Sequence, residues 1–399
     1  MSRKTPTNVP KKRTQVPRIK RSRAKIALVL GGGGLKGFAH IGVIRALQEL
    51  AIDPTVVAGT SIGALIAAAY GGGMSVQEMS DRARRLQRRD LFRINRMGML
   101  LERTRSPSIY LEAPLRAVVE SVVPAKTFHE MGKRILVNTV DIQRGTQLVW
   151  GLHGLRDANV ADAVYASCAL PGFFPPGVID RRHCVDGGVI DNLPVAAASL
   201  GMDIVLAVDT GSSDVVPEND IAVHGFTSIY MRAATTMMHA LQLAPFAAWN
   251  KPPMILIRPK VSHIGWFSFS HTDEVIEAGY TAAMEALSNF EECMHGTGVY
   301  PRRSMEIIVD PNKCIGCELC VALAPRLMAM DGRRKAYPVT PIVEWSPADG
   351  DFVHHCPTYA IEVTRLETAG TRGGATTVDP TSEATTEATQ SDSVRFKER

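Results

Sequence analysis

Gly59-Thr60-Ser61-Ile62-Gly63 follows an apolar strand pattern and opens an apolar helix pattern. In that setting G-x-S-x-G forms a sharp turn that projects the serine hydroxyl at a helix N-terminus, where backbone N–H groups favour developing negative charge. The same residues suit an ordinary turn with an N-capping serine. Upstream, Gly31-Gly32-Gly33-Gly34-Leu35-Lys36-Gly37 also lies between a strand and a helix. Backbone without side chains can aim N–H groups at an oxyanion there. Gly32, Gly34 and Gly37 spell G-x-G-x-x-G as well, with Asp53 about twenty residues on, the spacing of a dinucleotide fingerprint. The ribose-binding acid belongs just after the second strand, however, and Asp53 precedes it. A Walker loop fails because Gly37, not Ser or Thr, follows Lys36.

Asp186-Gly187-Gly188 supplies a carboxylate whose following backbone can approach a reacting group closely. Its alternative is a tight hairpin turn, for which Asp-Gly is a favoured pair. If Asp186 takes the Ser61 proton, its ordinary pKa near 4 makes it a weak base, and burial would raise it. No motif marks a histidine for that role: His40 reads as a helix-packing residue and His183 as a hairpin-edge residue.

Cys314-x2-Cys317-x2-Cys320, followed by Cys356-Pro357, gathers four of the seven cysteines near one end of the chain. That clustering points to a metal centre rather than a disulfide framework. Zinc sites present two separated pairs, whereas three cysteines in seven residues wrap an iron-sulfur cluster closely. Cys168, Cys184 and Cys293 are left over and read as buried thiols.

The elements that must position these groups follow from periodicity. Strands are expected at 25–30, 56–58, 134–138, 147–150, 204–208 and 254–257, with helices at 38–50, 62–70 and 272–294. This alternation favours an α/β sheet with helices on both faces. Residues 295–303 read as a linker, and β-rich ends flank the cysteines from 305 to about 363. The Met-rich run 229–243 reads as core rather than lid. Residues 81–105 hold nine Arg and three acids among apolar residues such as Leu91, Phe92, Met97 and Leu101. Such a segment suits either a lipid surface or a solvated helix with one side in the core.

The serine, glycine and aspartate blocks together resemble the patatin-like phospholipases, especially their soluble bacterial branch. The resemblance runs from 26 to about 208. It includes Gly-Phe-Ala-His-Ile-Gly-Val at 37–43, Ala-Ser-Cys-Ala-Leu-Pro-Gly at 166–172, Pro175 and Pro176, and Val-Asp-Gly-Gly-Val-Ile-Asp-Asn-Leu-Pro at 185–194. It implies a three-layer α/β/α fold with Ser61 as nucleophile and Asp186 as its dyad partner. It also implies oxyanion-hole amides at Gly32, Gly33 and Gly34, and a lipid ester substrate. Lys36 stands where many relatives carry Arg, keeping a positive charge for substrate binding but losing a bidentate fork.

The cysteine region resembles bacterial-type ferredoxins over about sixty residues. Ala324, before Pro325, replaces the cysteine that serves a second cluster in two-cluster members. The resemblance therefore implies one 4Fe-4S cluster on Cys314, Cys317, Cys320 and Cys356, Cys317 favouring four irons over three. The expected division is a basic disordered arm at 1–24, an acyl hydrolase domain at 25–295, a small α+β ferredoxin-like domain at 304–365, and a disordered tail at 366–399.

Charge is uneven. Residues 1–25 hold ten Lys or Arg and no acid, so a net charge of +5 leaves 5 − 10 = −5 on the remainder. Such an arm suits anionic surfaces. It has no aromatic residues to stack on bases, so no specific nucleic-acid partner is expected. The chain offers no export signal, no run of apolar residues long enough to span a bilayer, and a cysteine pattern that suits a reducing compartment. A cytoplasmic protein with peripheral contact at the inner membrane surface is the expectation. Its activity is read as lipid acyl hydrolysis, with an electron-transfer partner or a redox-sensing role for the cluster. The competing class is an electron-transfer or redox-sensing protein that uses the hydrolase fold as a binding scaffold.

Overall fold

The five apolar residues Ile26–Leu30 form β1, buried along their whole length. A strand covered on both faces needs no polar alternation, which is why these runs are continuous. Its two faces feed different cores: Ile26, Leu28 and Leu30 join one apolar cluster, Ala27 and Val29 a second. A three-layer α/β/α arrangement follows. The computed structural model describes residues 24–96, 108–211 and 225–366. The basic arm up to residue 23, the 97–105 part of the basic amphipathic segment and the tail from 367 lie outside the described residues.

Along the chain, α1 (Ala39–Glu49), β2 (Val56–Thr60) and α2 (Ile62–Gly71) follow β1. Then come α3 (Val76–Arg85), α4 (Arg88–Leu91), α5 (Glu112–Val122), β3 (Arg134–Asp141), β4 (Thr146–Trp150) and α6 (Val160–Cys168). The hairpin β5 (Gly177–Ile179) and β6 (Arg182–Asp186) precedes α7 (Val195–Ala198) and β7 (Ile204–Val208). The long α8 (Gly225–Ala247), β8 (Met254–Ile257), α9 (Thr272–Ala286), α10 (Phe290–Met294) and β9 (Val299–Tyr300) complete the large unit.

Among the described residues these strands form one sheet in the order β5-β6-β3-β2-β1-β7-β8-β9, with β4 also on β3. The run from β3 to β9 is parallel, while β4 and β6 pair with β3 antiparallel. Strand order reverses direction between β1 and β7, and a crevice opens at the carboxyl ends of the strands at such a switch point. The glycine run leaves β1 there, pinned by a Gly31 N–H to Val208 O bond of 3.0 Å. Asp53 precedes β2, at the opposite end of the sheet, and its carboxylate takes an ion pair from Lys133 at 2.7 Å. That placement removes it from any ligand on the glycine loop.

Two sequence readings change. The expected helix at 272–294 is two helices: Ser288 Oγ donates to Glu285 O at 2.9 Å where the first ends, and Asn289 stands at the N-cap position of α10. The expected linker at 295–303 contains β9, which adds to the large sheet beside β8. In the region 81–105, α3 ties its arginines to Glu78, Asp81 and Asp273, and Ala83 and Leu91 are buried. This described part is a solvated helix face over core.

The small unit is built on β10 (Arg303–Val309), flanked by β13 (Ile342–Trp345) and β14 (Ile361–Arg365) in an antiparallel sheet. Between them lie α11 (Leu319–Leu323), the hairpin β11 (Met328–Met330) and β12 (Ala336–Pro338), and α12 (Asp351–His354). Ile307, Met328, Phe352 and Ile361 form its separate apolar core, with Cys314 and Cys320 among them.

Candidate active site and cysteine site

Ser61 is the single residue between β2 and α2, with φ 56° and ψ −126°. A side chain held at positive φ is strained, and such strain persists only where the surroundings fix it. Two features do so. A Cβ on Gly59 would collide with the backbone of Gly63, and a Cβ on Gly63 would collide with the Leu30 carbonyl, so the turn closes only with glycine at both positions. The Ser61 N–H donates to Ser167 Oγ at 2.8 Å, and that hydroxyl donates to Asn138 O at 2.7 Å.

Asp186 ends β6, where pairing opposite Thr139 and a bond from its N–H to Ala169 O at 3.1 Å fix its backbone. Its carboxylate is buried, accepts from the Gly188 N–H at 2.8 Å, and shares a cavity lining with Ser61. Burial pushes its pKa up to about 6 against the opposing effect of Gly188 and of the nearby Ser61 hydroxyl. The hairpin-turn alternative does not hold. Asp186 caps a 3₁₀ turn at Gly187–Val189, and the chain does not return as a strand.

The glycine run lies against the serine. Asn192 clamps Gly32 from both sides, Oδ1 accepting from Gly32 N–H at 3.0 Å and Nδ2 donating to Gly32 O at 3.2 Å. The Gly32 amide is therefore committed, which corrects the expectation that it points at an oxyanion. Among the described residues the Gly33 and Gly34 amides have no such acceptor. Gly34 takes φ 59°, and a Cβ there would strike the Trp266 carbonyl. His40, fully buried, bonds Gly31 O through Nε2 at 2.8 Å, and burial lowers its pKa to about 4. It is thus neutral, donates that bond, and anchors the loop from behind. His183 is exposed on the β5–β6 hairpin.

Ser61, Asp186, Gly32 and Gly33 line one cavity of about 490 Å³. Gly34 and Lys36 do not line it, and Lys36 is buried in the 3₁₀ turn Gly34–Phe38, so the structure does not bring the expected substrate-binding lysine to this space. The remaining wall is largely apolar, with Leu170, Tyr230, Met238 and Trp266 among it. Much of it comes from α8, the run read as core from sequence. Met231, Thr235, Met238, Gln242 and Phe246 are indeed buried, at helical spacing, but Met237 and Leu241 line the cavity and are exposed. An almost uncharged helix hides which of its faces is covered. Asn192, Ser167 and Asn138 were not singled out from sequence. The signal was present in the first two, polar residues inside otherwise apolar or glycine-rich blocks.

Cys314, Cys317, Cys320 and Cys356 line one small enclosed cavity in the small unit. Among the described residues no group of three or more His, Cys, Asp or Glu is arranged to hold a metal ion. The four thiols share the lining of one cavity, and thiolates are the ligands an iron-sulfur cluster takes. Further features fit a cluster. Backbone N–H groups of Ala336 and Ala360 donate to Cys314 Sγ and Cys356 Sγ at 3.4 and 3.3 Å, the bonds that stabilise thiolates. Gly316 at φ 71° lets the loop pass against Arg334 O, where a Cβ would collide. Cys184 and Cys293 are buried, with thiols pushed up to about 11 by that burial. The two units touch: Arg303 and Arg365 both reach Glu285, at 2.9 and 3.0 Å, and the rings of His239 on α8 and His354 on α12 stand 4.8 Å apart.

Comparison with known proteins places these sites in context. The family model described as patatin-like phospholipase matches residues 28–199, and that described as a 4Fe-4S single cluster domain matches residues 307–363. An uncharacterized NTE family protein of Mycobacterium tuberculosis is 34% identical over 205 residues, covering 50% of this chain and 52% of the relative. Lysophospholipase nte1 of Emericella nidulans is 29% identical over 301 residues, covering 67% of this chain and 18% of the relative. This chain thus spans about half of the first and under a fifth of the second. Among solved structures, VipD from Legionella pneumophila aligns over 67% of each chain with a TM-score of 0.37 and 18% identity. The chain joins a patatin-like phospholipase domain at residues 28–199 to a 4Fe-4S single cluster domain at residues 307–363.

Proposed function

We propose that this protein is a serine lipid acyl hydrolase working through Ser61 and Asp186. The observation that carries the reading is that Ser61 and the buried Asp186 carboxylate line the same apolar cavity, near enough for the hydroxyl to favour the charged carboxylate. Ser61 Oγ attacks the ester carbonyl while its proton passes to Asp186. The tetrahedral oxyanion is met by the Gly33 amide, with Gly34 as its neighbour, and by the positive end of α2. Collapse expels the alcohol, which takes the proton from Asp186, and leaves an acyl-Ser61 ester. Water then attacks that ester while Asp186 takes its proton, and collapse releases the fatty acid as Asp186 returns the proton to Ser61 Oγ. Strain at Ser61 holds the hydroxyl out of the helix, and a carboxylate raised to about 6 is a better base than an exposed aspartate.

The apolar wall suits an acyl chain, which makes a lipid ester the substrate class. Among the described residues no helix is long and apolar enough to cross a membrane. We propose the division into a hydrolase unit over 25–295 and a small unit over 304–365, which the separate apolar cores support. Cys314, Cys317, Cys320 and Cys356 would hold the 4Fe-4S cluster, which supplies one-electron transfer or redox sensing when bound.

The test is Ser61→Ala in the full chain, incubated with a panel of phospholipids and lysophospholipids. We expect loss of fatty-acid release by at least about 10³-fold, and loss of covalent labelling by a serine-directed phosphonate, with circular dichroism unchanged. Undiminished turnover in that variant refutes the assignment.

A further inference from the structure

Resting on the hydrolase reading, we propose that the outer face of α8 is the surface by which this protein sits on a lipid bilayer, with the cavity mouth facing the membrane. Ile229, Ala233, Met237, Ala240, Leu241 and Ala244 are all exposed on α8. At 3.6 residues per turn they fall within an arc of about 120°. Arg232, the sole charged residue of the helix sequence, falls outside that arc. A solvated helix face normally carries charge, so this face is inverted relative to the expected pattern.

The face does not end at the helix. Met237 and Leu241, 60% and 49% exposed, also line the Ser61 cavity, as do Ile142 and Val189, 47% and 42% exposed, from the turn after β3 and the 3₁₀ turn after Asp186. Three separate elements therefore place exposed apolar side chains around one opening. Exposed apolar groups scattered singly need no explanation, but groups gathered on one rim do. Continuity with the cavity identifies the occupant. A lipid leaving a bilayer for Ser61 would pass from hydrocarbon to apolar wall without crossing water. The absence of charge on this face specifies the hydrocarbon and interfacial zone, rather than anionic headgroups, as what it meets.

The experiment uses the full chain with its cluster and phosphatidylcholine vesicles, which carry no net charge. Ile229 and Ala233 lie on the proposed face and do not line the cavity. Ile229→Glu with Ala233→Glu is expected to weaken vesicle partition in a sedimentation assay about tenfold, equivalent to ~1.4 kcal/mol. Turnover of vesicle lipid should fall in proportion, while turnover of a soluble short-chain ester stays unchanged and reports an intact fold and site. Ile229→Lys with Ala233→Lys should weaken partition equally, because an apolar contact is lost whichever charge is introduced. Unchanged partition in both double variants overturns the proposal. So does light scattering that finds the parent dimeric and the variants monomeric with vesicle binding intact, since the face then joins two copies. Ser61→Ala separates the two readings: it should bind vesicles as the parent does. If it binds them and still hydrolyses the lipid, the hydrolase assignment falls while the docking face stands.

Discussion

Replacing Asp186 by Asn should abolish activity and at the same time stabilise the protein, with a pH signature that identifies the carboxylate as the cause. The folded pKa is about 6 against an unreacted value of 3.8, because burial disfavours the charge. For an acid whose folded pKa is raised, the native state binds more protons than the unfolded state between those values, so stability is lost as pH rises through that window. The loss levels off above pH 6. At 1.36 kcal/mol per unit, the penalty carried by the parent is on the order of 1 to 2 kcal/mol at pH 5 and roughly twice that at pH 7.5. Asn keeps the oxygen that accepts from Gly188 N–H and carries no charge, so the variant lacks the penalty. Urea unfolding of Asp186→Asn and parent, measured from pH 5 to 7.5, should show the variant more stable, the gap widening by about 1 kcal/mol across the range. A gap that does not change with pH, or a variant less stable than the parent at pH 7.5, refutes the argument that a buried, costly carboxylate is held against Ser61.

Other outcomes follow from the same geometry. The rate of soluble-ester hydrolysis, as kcat/KM, should rise with pH through an apparent pKa of about 6 as Asp186 loses its proton, and a flat profile between pH 5 and 7.5 would remove it as the base. Asn192→Leu unclamps Gly32, so kcat should fall about 10- to 100-fold with KM little changed, because the loop's amides serve the oxyanion more than the substrate. A raised KM with kcat unchanged would place Asn192 in substrate binding instead. Cys356→Ser should lower iron and acid-labile sulfide content and bleach the visible absorbance of the purified protein, whereas full loading would take Cys356 out of the ligand set.

Much of the fold was legible because parallel strands buried on both faces leave continuous apolar runs. The strands read at 204–208 and 254–257 coincide with β7 and β8, and the others differ only at their ends. Boundaries moved where local chemistry outweighed periodicity. Gly34–Phe38 winds as a 3₁₀ turn before α1, and Asn289 restarts the chain as α10. The short β9 was invisible, since two residues carry no period and the sheet edge alone makes them a strand.

Residue type and local spacing singled out the candidate groups for chemistry. The glycines at 59 and 63 follow from a turn with no room for a Cβ at those two positions, and the cysteine spacing is the one a loop around the proposed cluster would need. Both constraints act over a few residues, so they are written in order along the chain. Only the tertiary structure decided that the Gly32 amide is spent on Asn192, 160 residues away, that Lys36 lies off the cavity, and that α8 turns an apolar face outward beside Ser61. Those outcomes depend on which surfaces meet across the sheet, and a helix with a single charged residue, whose buried side includes Thr235 and Gln242, carries little local mark of the side that stays uncovered.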